Sequence, residues 1–208
     1  MNEDISDSDA KDEAPTSKKC GRPRSVEVHQ AVLDAANSLL QERGFKATTL
    51  EAIAERAGAS KVTIYRWWPN KAAVVMDAFM LAMRERMPYP ETISPLADLR
   101  THMMAFCRVL SAQPGTIVAS LIAESVFDEE LKEALRTRWL APRREEAMSH
   151  LERAVQMGEM RADVDFEVVL DALYGPLYHR LVVRRAPLTP ELAEKVWTIV
   201  VQGLAPRT

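Results

Sequence analysis

A chain of 208 residues that is 47% hydrophobic can bury one large core or two modest ones. Its formal net charge of −3 argues against indiscriminate nucleic-acid binding, and its two cysteines, Cys20 in a polar arm and Cys107 in an apolar stretch, make neither a disulfide framework nor a metal-ligand pair. The start, MNEDISDSD, lacks the basic and apolar regions of a signal peptide, and no apolar run approaches about 18 residues, so a cytoplasmic protein without membrane contact is expected.

The average charge conceals an uneven distribution. Residues 1–16 carry six acids against Lys11, whereas Ser17 to Lys71 carries ten Lys/Arg against five acids. Residues 1–17 have no periodicity and are expected to form a disordered acidic tail. Lys18 to Arg24 then reads KKCGRPR, whose Gly-Arg-Pro centre resembles the AT-hook. Such an arm either touches phosphates flexibly or lays Arg22 and Arg24 into a narrow minor groove.

Val26 to Arg43 is an amphipathic helix with Val28, Ala31, Val32, Ala35 and Leu39 on one face. Gly44 is its stop, and Phe45 is placed to plug the core beneath. Thr49 can cap a second helix in which Leu50, Ile53, Ala54 and Ala57 share a face, and Gly58 closes it. Ser60 can cap a third, whose Ile64 and Trp68 point back at the second. That third helix exposes Lys61, Thr63, Tyr65 and Arg66, groups suited to phosphates and base edges. The spacing predicts a three-helix DNA-binding domain with a helix-turn-helix, over residues 18–70 with its arm.

Thr49, Ile53-Ala54, Ala57-Gly58, Ser60, Ile64-Tyr65 and Lys71 stand at intervals that resemble the TetR/AcrR-type transcriptional regulators. The resemblance is close from Ala31 to about Val75. It implies that Thr49, Ser60, Lys61, Val62, Thr63, Tyr65, Arg66, Trp67 and Lys71 contact double-stranded operator DNA. Lys61, Thr63 and Tyr65 would set sequence preference, while Thr49, Trp67 and Lys71 position the backbone. Two departures stand out: Val62 where the family carries a small residue, and Trp67-Trp68 where it carries Tyr/His-Phe.

Asn70-Lys71 opens a helix to about Met87, the covalent link from this reader to a helical body at 71–208, and its Phe79 and Met83 are expected to touch that body. Further helices are expected at 95–112, 116–126, 128–157 with a disturbance at Pro142, 165–185 and 190–204. No strand pattern interrupts them, so the fold class is all-α. A glycine phosphate loop, a GxSxG and a helical histidine pair are all missing. Enzymatic activity, a cofactor and a metal site are therefore not expected.

The middle helices are rich in soft apolar side chains: Met103, Phe106, Cys107, Leu110, Leu121, Trp139, Met148, Tyr174 and Tyr178. They read equally as a plain core or as a pocket. Resemblance to ligand-responsive regulators favours a pocket for a small apolar or amphipathic effector, with His102, Glu124 and His179 as orienting groups. It also implies a homodimer formed by the last two helices, residues 165–204, and a repressor released from a palindromic operator. The alternative is a DNA-tethered regulator whose solid body docks a protein partner.

Overall fold

The computed structural model describes residues 22–206, with side chains from Ser25 onward. The acidic tail and most of the basic arm therefore lie outside the described residues, as do the side chains of Arg22 and Arg24. Among the described residues the chain is built of helices and contains no strand.

Three helices form the head: α1 (Arg22–Ala47), α2 (Leu50–Ala57) and α3 (Lys61–Tyr65). α1 kinks at Gly44, and Thr48 secures the turn by donating its hydroxyl to the Gly44 carbonyl at 2.8 Å. Phe45, just beyond the kink, is buried. α2 ends at Gly58, which holds φ 61° and ψ 31°, a conformation that costs a residue with a Cβ but not glycine. The Ala59 amide then reaches back to the Ala54 carbonyl at 2.9 Å, closing the helix before α3 begins. Ile53 and Ile64 are fully buried between the two short helices, where truncation of either to alanine costs about 2–5 kcal/mol.

α4 (Lys71–Arg84) stops three residues short of the expected Met87 and serves both halves of the molecule. Its Ala72, Val74 and Val75 are buried in a core continuous with Val32, Leu39 and Leu40 of α1. Phe79 and Met83, further along, belong to the same core as Trp139 and Leu131 of the body.

The body comprises α5 (Pro95–Leu110), α6 (Gln113–Ser125), α7 (Glu129–Leu135), α8 (Ala141–Gln156), α9 (Phe166–Tyr178) and α10 (Pro190–Gln202). α6 begins earlier than its expected start at Thr116. Gln113-Pro114-Gly115, which reads as a turn, is instead the first turn of the helix, where proline's missing N–H has no partner to lose. Gly115 is required there because a Cβ would fall 1.8 Å from the Leu110 carbonyl oxygen. Pro142 neither breaks nor ends its helix. The chain widens into a π-helical turn at Arg136–Leu140, with the Ala141 amide donating to the Arg136 carbonyl, five residues back. A second π-helical turn, His179–Arg184, follows Pro176 at the end of α9. In both places a wider turn accommodates the proline ring and the absent donor without splitting the helix.

Candidate DNA-reading surface and body cavity

Ile64 and Trp68 fix the rotation of α3 by burying one side, which leaves the other to solvent. Lys61, Val62, Tyr65 and Arg66 are exposed, Val62 to 74% and Tyr65 to 55%. Thr49 and Ser60 sit on the same surface but spend their hydroxyls on capping. Thr49 Oγ1 accepts from the Ala52 amide at 3.2 Å, and Ser60 Oγ accepts from the Thr63 amide at 3.1 Å while lying 2.9 Å from Thr63 Oγ1. Lys61 donates to Glu51 Oε1 at 2.7 Å, a bond that holds the Glu51 carboxyl below its usual range and raises the lysine. The pair is open to water, so a phosphate or base edge can replace the carboxylate at little cost. Arg56 binds Glu42 through both guanidinium nitrogens, at 2.6 and 2.9 Å, bracing α2 against α1 rather than facing DNA.

Lys71 and Trp67 are less free than the sequence implies. The Lys71 ammonium donates to the Phe45 carbonyl at 3.0 Å and stands 3.9 Å from the centroid of its ring. Burial lowers its pKa, opposed by the charges of Asp128, Glu124 and Glu130. Lys71 thus ties the start of α4 to the end of α1, and a phosphate would have to compete for it. Trp67 is half-buried and meets His29 edge-on at 5.2 Å.

Trp68 extends the head toward the body. Its ring stacks on His29 at 4.6 Å, and its Nε1 donates to Asp77 Oδ2 on α4 at 2.7 Å. The same oxygen accepts from Arg138 at 2.5 Å. Arg138 lies in the π-helical turn, beside Trp139, whose Nε1 donates to the Tyr178 hydroxyl at 2.9 Å and whose ring lies 5.3 Å from Phe79. Head, linking helix and body therefore meet on one carboxylate. A phenylalanine at position 68 has no proton to place there.

Where α5, α8 and α9 converge, a small cavity of about 50 Å³ is lined by Tyr89, His102, Phe106, Arg143, Tyr174 and Tyr178, with Leu140, Arg144, Ala147 and Leu170. His102 is fully buried and stacked on Tyr89 at 3.5 Å with 7° between the rings. Burial first, then the charge of Arg143, holds its pKa down at about 2, so the ring is neutral. Arg143 reaches His102 Nε2 at 2.9 Å, and a guanidinium can only donate. Nδ1 therefore carries the proton and donates it to the Tyr174 hydroxyl at 2.8 Å. Tyr174 also interacts with Tyr89, which donates to the Arg143 carbonyl at 3.2 Å. Burial raises the pKa of all three tyrosines, Tyr89 to about 12.

Of the residues proposed for the pocket from sequence, the structure brings His102, Phe106, Tyr174 and Tyr178 to the cavity wall, with Trp139 directly behind. Met103, Leu110 and Leu121 are core. Cys107 is core as well, its thiol 3.4 Å from the Thr189 carbonyl and its pKa raised by burial. Glu124 faces the Lys71 side of the molecule instead, Met148 packs against the core away from the cavity, and His179 is exposed. Tyr89, Leu140, Arg143, Arg144, Ala147 and Leu170 are the cavity residues that sequence reasoning missed. The Pro-Tyr-Pro at 88–90 reads as punctuation, and an arginine in RREE reads as a solvated face. Among the described residues no cluster of His, Cys, Asp or Glu could hold a metal ion, and no single helix is long and apolar enough to cross a membrane.

Comparison with known proteins places these features. A family profile described as "Bacterial regulatory proteins, tetR family" matches residues 32–78, and one described as "Tetracyclin repressor-like, C-terminal domain" matches residues 89–200. The HTH-type transcriptional regulator YdeS of Bacillus subtilis (strain 168), itself uncharacterised, is 47% identical over 165 residues, covering 79% of this chain and 83% of its own. The DNA-binding transcriptional repressor TetR of Mycobacteroides abscessus is 32% identical over 155 residues, 73% of this chain and 80% of that protein. The crystal structure of the TetR family transcription regulator SCO0332 superposes with a TM-score of 0.75 at 34% identity, covering 86% of this chain and all of that one.

Proposed function

The chain belongs to the TetR family of DNA-binding transcriptional regulators, not to an enzyme family, and from that membership we propose a homodimeric repressor that leaves a pseudo-palindromic operator when a small molecule enters the body cavity. The observation that carries this reading is Asp77 Oδ2, shared by Trp68 of the head and Arg138 of the body. Arg138 is five residues from Arg143 in the cavity wall, so a ligand that displaces α8 pulls on the carboxylate that holds the head. A hundredfold loss of operator affinity needs about 2.7 kcal/mol of coupling, within the usual range for allostery.

Repression, rather than activation, is supported by the name of the Mycobacteroides relative. Dimerisation through residues 165–204 is supported by Val168 and Ile199, exposed to 63% and 71% on α9 and α10, beside the partly buried Leu192, Val196 and Val200. Pairing these two helices with their two-fold copies makes a four-helix interface. Lys61, Val62, Tyr65 and Arg66 would then enter successive major grooves about 34–36 Å apart, with Thr63 half-shielded behind them. The cavity weighs against a solid docking body.

The test is selection of binding sites from a random duplex pool, followed by footprinting and sedimentation. Two related half-sites one helical turn apart, bound by a dimer, are expected. Protection of a lone half-site by a monomer would sink the proposal.

A further inference from the structure

Two of the residues lining the cavity are charged, and they differ in what they face. Arg144 is held by Glu167 and by Asp171, at 2.8 Å from Asp171 Oδ1. Arg143 has no carboxylate within ion-pair distance among the described residues. Its guanidinium donates to a neutral imidazole, touches the Met87 sulfur at 3.9 Å, and lies 5.0 Å from the ring centroids of Phe106 and Trp139. Burial and the charge of Arg143 hold His102 neutral, and Tyr174 and Tyr89, which complete the path back to the Arg143 carbonyl, are neutral too. A cation drawn partly out of water is normally paired, and this one faces a cavity instead.

The rest of the wall narrows the ligand further. Phe106, Tyr89, Tyr174 and Tyr178 present ring surfaces, and Phe106 meets Tyr174 and Tyr178 edge-on at 5.3 and 5.6 Å. Such a wall suits a flat ring better than a flexible acyl chain. The enclosed space, about 50 Å³, is well below that of drug-sized sites and limits the ligand to a single small ring.

We propose that the effector site is built for a small aromatic carboxylate, its ring against Phe106 and the tyrosines and its carboxylate on the Arg143 guanidinium. A carboxylate matches the planar fork of arginine with two parallel N–H donors, and Arg143 has unused donors to offer. The inference rests on the reading of the body as a sensor, and it adds the chemistry that is sensed.

Titration calorimetry on the full-length protein tests it with benzoate, 4-hydroxybenzoate and phenylacetate, against benzamide as neutral isostere and hexanoate as aliphatic acid. At least one aromatic acid should bind, with benzamide and hexanoate roughly tenfold weaker or more, because the contact is charge-assisted and the wall is aromatic. Arg143→Met should abolish the preference for acid over amide, and Arg143→Lys should restore part of it. The wild-type ligand series decides by itself if the variants fold poorly. Benzamide binding as tightly as benzoate, hexanoate binding as tightly, or no aromatic acid binding at all overturns the proposal. Operator release separates this from the broader reading. An aromatic acid that binds without releasing DNA supports the ligand class and removes the sensor; a neutral compound that binds in the cavity and releases DNA does the reverse.

Discussion

Replacing Trp68 by phenylalanine keeps an aromatic ring in a site that is 2% exposed and deletes the proton that joins head to linking helix. A hydrogen bond to a charged group contributes about 1.5–3 kcal/mol net. Asp77 and Arg138 are 34% and 31% exposed, so solvent screening puts both contacts at the lower end of such ranges. Arg138→Met removes the other donor while keeping the side-chain stem. If Trp68 positions Asp77 for Arg138, each substitution alone already loosens the contact made by the other. Urea unfolding of the two single variants and the double variant should then show a double variant less destabilised than the sum, by about 0.5–1 kcal/mol. Fluorescence anisotropy should show both single variants shifting operator affinity in the same direction, although Arg138 belongs to the body. Additivity within about 0.3 kcal/mol would refute the idea that the two donors share one joint.

The pH dependence of stability follows from His102. Its folded pKa is depressed from the ordinary 6.5 to about 2, so folding excludes a proton and stability is lost as the pH falls below the unfolded value. Between about pH 8 and about pH 5 this contributes a loss of about 2 kcal/mol that His102→Gln should lack, as paired urea melts at the two pH values will show. Lys61→Ala should weaken the selected operator by roughly tenfold and relax preference at one base pair, measured against a panel of single-base variants. Arg66→Ala should instead weaken all duplexes alike and reduce the slope of log affinity against log salt by about 0.9. Equal, sequence-independent losses in the two variants would show that Lys61 reads no base. Ile199→Glu should shift the sedimentation profile toward monomer with the helical content unchanged, and an unshifted dimer would place the interface elsewhere.

The head was legible in the sequence because its determinants are local. Thr49, Gly58 and Ser60 each act within four residues of their own position, through a cap or a left-handed turn, and their spacing fixes the rest. The apolar periodicity likewise announces α4, with Phe79 against the body as expected, where it meets Trp139. The cavity was half-legible: its aromatic residues could be collected, but Glu124 and Met148 could not be told from them because the facing of a side chain depends on neighbouring helices. Arg143 was hidden for a further reason. Counting at 3.6 residues per turn from Leu131 and Leu135 misplaces everything after Arg136, since the π-helical turn consumes an additional residue that Pro142 only hints at. Gln113-Pro114-Gly115 misled in the opposite sense, because residues that end helices also start them.

That additional residue resembles an insertion parked inside a helix, absorbed by the wider turn without changing how the flanking helices face. Deleting one residue from Arg136–Leu140 would leave a continuous α-helix in which α8 keeps its facing relative to α7, because the wider turn carries its surplus residue without added rotation. Leu131, Leu135 and Arg143 would keep their places, while inside the turn either Arg138 or Trp139 would leave its partner. A single surplus peptide unit lets the adjacent Arg138 and Trp139 hold the anchor under the head and the Tyr178 hydroxyl at once, so this short turn tolerates substitution far better than a change of length.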